Sequence, residues 1–128
     1  MKHSIIFMLF ITCTLLGSEL MLKETKFAYV KESLGKGRVH FVEVGSDTCK
    51  SCKIMGKQLY KVQQKHPTYN ISFVNVKKER EVAYALKISM IPTQLIFDKE
   101  GNEVYRHVGI LGSDALVDLF KTYKFDVQ

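Results

Sequence analysis

The chain has 128 residues, a formal net charge of +6, 46% hydrophobic residues and 25% charged residues. That length suits one domain rather than two, and the balance of apolar and charged residues excludes an intrinsically disordered chain. Three cysteines, Cys13, Cys49 and Cys52, are too few for a disulfide scaffold.

Met1-Lys2-His3 is short and basic, residues 4–16 are almost wholly apolar, and Gly17-Ser18 supplies small residues. This is the layout of a secretory signal peptide over residues 1–18, with a folded domain over 19–128. The apolar run is shorter than the roughly 20 residues of a comfortable membrane span. A retained N-terminal anchor and a lipoprotein lipidated at Cys13 are the alternatives, although Phe10-Ile11-Thr12-Cys13 matches a lipidation box poorly. Residues 20–34 carry Leu22, Phe27, Val30 and Leu34 at helical spacing, and Gly35 and Gly37 end the predicted helix.

Residues 39–44, Val-His-Phe-Val-Glu-Val, form a β-rich run. Glu43 is out of place in a strand buried on both faces, because an unpaired carboxylate there is costly unless it is protonated, paired or useful. Its position six residues before Cys49 suits a proton acceptor and donor for the thiol of Cys52. His40, in the same strand, reads as a structural histidine.

Asp47-Thr48-Cys49-Lys50-Ser51-Cys52-Lys53 joins that strand to a helix over residues 49–64, with Asp47 or Thr48 as its cap. A strand that feeds a helix through Cys-x-x-Cys sets the first sulfur at the helix N-terminus. There the unpaired N–H groups and the helix dipole favour the attacking thiolate, and the second sulfur lies one turn on. Ile54, Met55, Leu59 and Val62 make the apolar face of this helix. Lys50, Lys53, Lys57, Lys61 and Lys65 recur at helical spacing and read as a solvated face. No aromatic interleaving or motif points to nucleic acid. Gly56, mid-helix, marks a bend or a close approach.

A strand follows over residues 71–76 and a short helix over 78–86, with Val82, Ala83, Ala85 and Leu86 inward. Pro92 heads the apolar strand 94–97, the turn 98–102 links it to a partner strand 103–108, and Gly109 breaks that strand. A closing helix runs over 114–123, capped by Ser113, with Leu116, Val117, Leu119 and Phe120 inward. The alternation of strands and helices is that of an α/β fold.

The order strand, Cys-x-x-Cys helix, strand, helix, Ile91-Pro92-Thr93 strand, hairpin partner, glycine and terminal helix resembles the thioredoxin family over residues 39–123. Its specific parts are Cys49-Lys50-Ser51-Cys52, Ile91-Pro92-Thr93, the turn through Gly101, and Val108-Gly109. The resemblance implies a central mixed sheet of four or more strands flanked by helices, and an oxidoreductase acting on protein disulfides. It implies no cofactor and no metal beyond a redox-active Cys49–Cys52 disulfide. By the same resemblance Cys49 is the nucleophile, Cys52 the resolving thiol, Pro92 a cis-proline facing them, and Glu43 the family's buried acid. Ile91, Thr48, Lys50 and Gly109 fall on the substrate-binding positions.

Three departures stand out. Thr48 replaces the usual tryptophan, Lys50-Ser51 replaces the usual Gly-Pro, and Phe73 stands where the family often buries a lysine near the acid. With its export signal the chain is similar to extracytoplasmic bacterial members. This implies a periplasmic monomer that reduces disulfides of exported proteins, apocytochrome c among them, with electrons from a thiol-reducing donor in the membrane. An oxidase or isomerase is the alternative direction, since Lys50 and Lys53 favour the Cys49 thiolate while Asp47 and Glu43 oppose it. A redox-inert binding domain on the same fold, or a metal module joining the cysteines to His40, His66 or His107, are readings from other classes.

Overall fold

The computed structural model describes residues 20–127, so the expected signal segment and Cys13 lie outside the described residues. Its centre is β1 (His40–Gly45), every residue of which is buried. Side chains alternate across a strand. Phe41 therefore joins one apolar cluster, with Met55, Leu59, Phe73, Ile96, Leu116 and Phe120, while Val42 and Val44 join a second, with Val30, Val74, Val82 and Leu95. Both faces of the sheet are thus covered, which is why β1, β2 (Ile71–Asn75) and β3 (Thr93–Phe97) read as continuous buried runs.

The sheet has four strands in the order β2-β1-β3-β4, with β4 spanning Glu103–Val108. β1 runs parallel to β2 and antiparallel to β3, and β3 pairs antiparallel with β4. This is the mixed α/β sheet expected from the sequence. Helix α2 (Lys50–Lys65) and α4 (Ser113–Thr122) lie over the first cluster. Helix α1 (Phe27–Ser33) and α3 (Arg80–Ala85) supply Val30 and Val82 to the second.

The predicted helix over residues 20–34 is only partly formed. Residues 20–26 lie outside the helix instead, with Glu24 bridging Phe73 in parallel, the Thr25 N–H donating to the Phe73 carbonyl at 2.7 Å and the Leu22 N–H to the Gly56 carbonyl at 3.0 Å. β2 is an edge strand, and this segment supplies partners to its open side and buries Leu22. Gly56 marks a close approach: a Cβ there would sit 2.7 Å from the Met21 methyl. Three of the side chains expected inward prove exposed: Ile54 at 40%, Val117 at 47%, and Ala85. Nor does Ser113 cap α4: Gly112 occupies that position, and the Ser113 hydroxyl donates to Gln58 Oε1 at 3.3 Å.

His40 is structural, as expected. Ser33 spends its hydroxyl proton on the Val30 carbonyl at 2.7 Å, so His40 Nδ1–H donates to Ser33 Oγ at 3.0 Å, and Nε2 accepts from Ser72 at 2.8 Å. Burial first, and the Arg38 charge second, lower its pKa to about 4, so the ring stays neutral.

Phe120 packs its ring 5.3 Å from Phe41, 5.1 Å from Tyr69 and 4.8 Å from Phe125, centroid to centroid. Phe120→Ala is expected to lower stability by about 3–5 kcal/mol, read as a lower denaturant midpoint at unchanged slope.

Candidate redox site

The loop from β1 to α2 is pinned before the cysteines begin. Asn75, at the end of β2, donates to Asp47 Oδ1 at 3.0 Å and to Glu24 at 2.8 Å. Lys77 Nζ donates to the Thr48 hydroxyl at 3.2 Å. The Asn75 bond first, with the Lys78 and Lys77 charges further down, holds Asp47 below the usual carboxylate range. With Asp47 and Thr48 so engaged, neither caps α2. The N-cap is Cys49 itself, whose Sγ accepts from the Cys52 N–H at 3.3 Å. The first sulfur therefore sits on the unpaired donors of the helix end, where the dipole stabilises a thiolate.

Cys49 and Cys52 are joined as a disulfide, with Cα atoms 5.2 Å apart. Cys49 is half-buried and Cys52 wholly buried, so one sulfur faces solvent and the other the sheet. Beneath Cys52 is Gly45: a Cβ there would lie 2.9 Å from the Cys52 sulfur and 3.0 Å from its Cβ. The register runs Val44 against Thr93, so Pro92 enters beside Gly45. The Ile91–Pro92 peptide is cis. The Pro92 carbonyl accepts from the Gly109 N–H at 2.8 Å, and Gly109 takes φ +102° with open space where a side chain would be.

Residues 27–124 match the Thioredoxin-like domain family. The chain belongs to the thioredoxin-like family. It is 31% identical to a thioredoxin of Mycoplasma pneumoniae over 78 residues, covering 61% of this chain and 76% of that protein. It is 32% identical over 93 residues to the chloroplastic thioredoxin-like protein HCF164 of Oryza sativa subsp. japonica, covering 69% of this chain but only 35% of that protein. Among solved structures, Fasciola hepatica thioredoxin superimposes with a TM-score of 0.69 at 20% identity, covering 80% of this chain and 99% of the other. With its cysteine pair, this thioredoxin-like chain is a thiol–disulfide oxidoreductase.

The remaining site residues of this thioredoxin-like domain divide into two groups. Thr48 and Lys50 are exposed beside Cys49, and Ile91 is half-buried before Pro92. Glu43 is buried completely, two residues before Gly45 and thus on the same face of β1. Its Oε1 accepts from Gln94 Nε2 at 3.4 Å, and its Oε2 has no partner among the described residues. Burial pushes its pKa up to about 8, against a smaller downward pull from the Gln94 bond.

The histidines weighed as metal partners are scattered. His40 lies between two serines, His66 stacks on Tyr69, and His107 bonds Gln94. Among the described residues no group of three or more His, Cys, Asp or Glu is placed to hold a metal ion.

Gly45 was not singled out from sequence, and neither was Gln94. A glycine ending a buried strand, and an amide inside an otherwise apolar one, are the signals by which a sequence reading could have found them.

Gly45→Ala forces the Cys52 sulfur to move. It is expected to slow insulin reduction by about 10- to 100-fold while the far-ultraviolet circular dichroism is kept, since misplacement of order 1 Å costs up to about 10²-fold.

Glu43 also makes stability depend on pH. An ordinary carboxyl ionises near 4.5 and the folded one near 8. Between those values the folded state keeps a proton that the unfolded state releases. The stability contributed is full below 4.5 and is lost as pH rises to about 8, by at most ~1.4 kcal/mol per unit. Glu43→Gln escapes this loss, so its urea midpoint is expected to gain on that of the unsubstituted protein across this window.

Proposed function

We propose that the chain is an exported reductase of disulfides in periplasmic proteins, with cytochrome c precursors among its substrates. In this reading residues 1–18 are the export signal, the domain of residues 19–128 works as a monomer, and a thiol-reducing membrane protein returns its electrons. The observation that carries the chemistry is the asymmetry of the two sulfurs, Cys49 half-open at the helix end and Cys52 sealed over Gly45. The thioredoxin relatives and the isoleucine before Pro92 support the reducing direction.

The reaction runs as two exchanges. The Cys49 thiolate attacks a substrate disulfide, forming a mixed disulfide and expelling one substrate thiolate. Glu43, as the carboxylate, takes the proton of Cys52, and the Cys52 thiolate then attacks Cys49 Sγ. The Cys49–Cys52 bond forms, the second substrate thiolate leaves, and two electrons have passed to the substrate.

Ile91, held before the cis Pro92, presents its backbone to the incoming chain, and Gly109 leaves room for it. Thr48 and Lys50 flank the sulfur. Met90 at 65% and Ile110 at 47% exposure, next to Ile91 and Gly109, offer it apolar surface.

Cys49→Ser is expected to abolish insulin reduction, and Cys52→Ser to accumulate the mixed disulfide, seen by non-reducing electrophoresis and mass spectrometry. Redox titration against glutathione is expected to place the pair on the reducing side. Full activity in Cys49→Ser overturns the nucleophile, and a potential near those of strong oxidants overturns the direction.

A further inference from the structure

On the sheet face beneath α2, one polar row crosses three strands. Glu43 of β1 is register partner to Gln94 of β3, and Gln94 to His107 of β4. Glu43 and Gln94 are fully buried and His107 is half-buried, so the row runs from the interior to the surface. Gln94 Nε2 lies 3.4 Å from Glu43 Oε1 and 3.0 Å from the Gly109 carbonyl, while Gln94 Oε1 lies 2.7 Å from His107 Nδ1.

Gly109 decides which way the amide points. A carbonyl only accepts, so the NH₂ must face it, and the same NH₂ then faces Glu43. Gln94 Oε1 is left towards His107, which must donate through Nδ1–H.

We propose that His107 and Gln94 are positioning residues for proton transfer at Glu43: His107 locks the Gln94 amide, and the amide gives the buried carboxylate its hydrogen-bond donor. The proposal rests on the reading of Glu43 as the acceptor of the Cys52 proton.

The surroundings leave the role to this row. On this face α2 lays Cys52 over Gly45, two residues along β1 from Glu43, β2 sets Phe73 in register with Glu43, and Phe41, Met55 and Phe73 belong to one apolar cluster. Burial raises the carboxyl's proton affinity and the Gln94 hydrogen bond lowers it, and among the described residues no cation offsets the burial. The titratable groups bearing on it are therefore Cys52 and, through Gln94, His107. A donor to a carboxylate favours its charged form, the form that accepts a proton. The Gln94 amide also holds Gly109, whose N–H holds the Pro92 carbonyl. The acid and the loops proposed to meet substrate thus share one anchor.

The test is the pH dependence of a single turnover of the reduced full chain against insulin, paired with infrared titration of the protonated Glu43 carboxyl. That band is identified by its loss in Glu43→Gln. Removing the donor in Gln94→Leu is expected to move both the rising limb and the band's midpoint up by about one pH unit, and removing the lock in His107→Leu, which leaves Gly109 alone to orient the amide, to move both in the same direction by less. His107→Gln, which donates an amide N–H to the same oxygen, restores the midpoint.

A band whose midpoint Gln94→Leu or His107→Leu leaves unmoved overturns the positioning role. A His107→Gln midpoint as far shifted as that of His107→Leu overturns the donor argument. A rising limb that persists in Glu43→Gln, with the infrared shifts as expected, overturns instead the reading of Glu43 as the proton acceptor.

Discussion

The sulfur of Cys52 rests on the bare backbone of Gly45, and the geometry of the redox pair depends on that contact. Helix α2 is held on the sheet by Met55 and Leu59 in the apolar cluster around Phe41. With a side chain at position 45 its first turn would have to lift, because a Cβ would come within 3.0 Å of two Cys52 atoms. Lowered onto β1, the same turn carries Cys49 at its N-cap and leaves that sulfur partly open. The cis Ile91–Pro92 peptide enters the sheet beside Gly45 on the other flank. One missing methyl group therefore sets the depth of the buried sulfur and the height of the exposed one.

Glu43 belongs to the same layer and opposes stability there. Burying a carboxyl with one long hydrogen bond and one unpartnered oxygen is unfavourable compared with a well-packed apolar side chain. The strand does not need it, since Phe41 beside it and Phe73 across from it fill the cluster. What the acid brings is a proton affinity raised to about 8, in the range where a thiol of ordinary pKa near 8.5 exchanges its proton. That affinity is what the proton transfer proposed for Glu43 and Cys52 requires of the acid.

The parts of the molecule readable in the sequence are those written in local pattern. The β-rich runs, the amphipathic α2 and the hairpin about Gly101 fall within a residue or two of expectation, because each buries a periodic apolar set. The Cys49–Cys52 pair was legible from its spacing before a helix. What was not legible depends on distant partners. Residues 20–26 have helical spacing, yet their backbone hydrogen bonds go to Phe73 and Gly56, far along the chain, and not to a helix of their own. Helix α1 then starts where the Glu79 carboxylate, 52 residues away, accepts the Phe27 N–H. The caps expected at Asp47 and Thr48 failed because Asn75 and Lys77 had already engaged those side chains. Gly45 and Gln94 gain meaning only once α2 and β4 are laid against them.

The departure at Phe73 shows how the site accommodates its substitutions. In the resemblance drawn from sequence, a lysine accompanies the buried acid at this position; here a phenyl ring is the register partner of Glu43 on β2. The polar partner comes instead from the opposite flank, where β3 places Gln94 in register. An ammonium is a full charge and would hold the acid well ionised, whereas an amide is a dipole and leaves burial dominant. Its orientation, unlike that of an ammonium, can be wrong, and so it needs fixing. Gly109 on one side and His107 on the other supply two directional constraints on a single amide. Replacing a charge by a dipole thus moves control of the carboxyl from the magnitude of a neighbouring charge to the orientation of a neighbouring group, and that orientation is set at the half-exposed edge of the sheet.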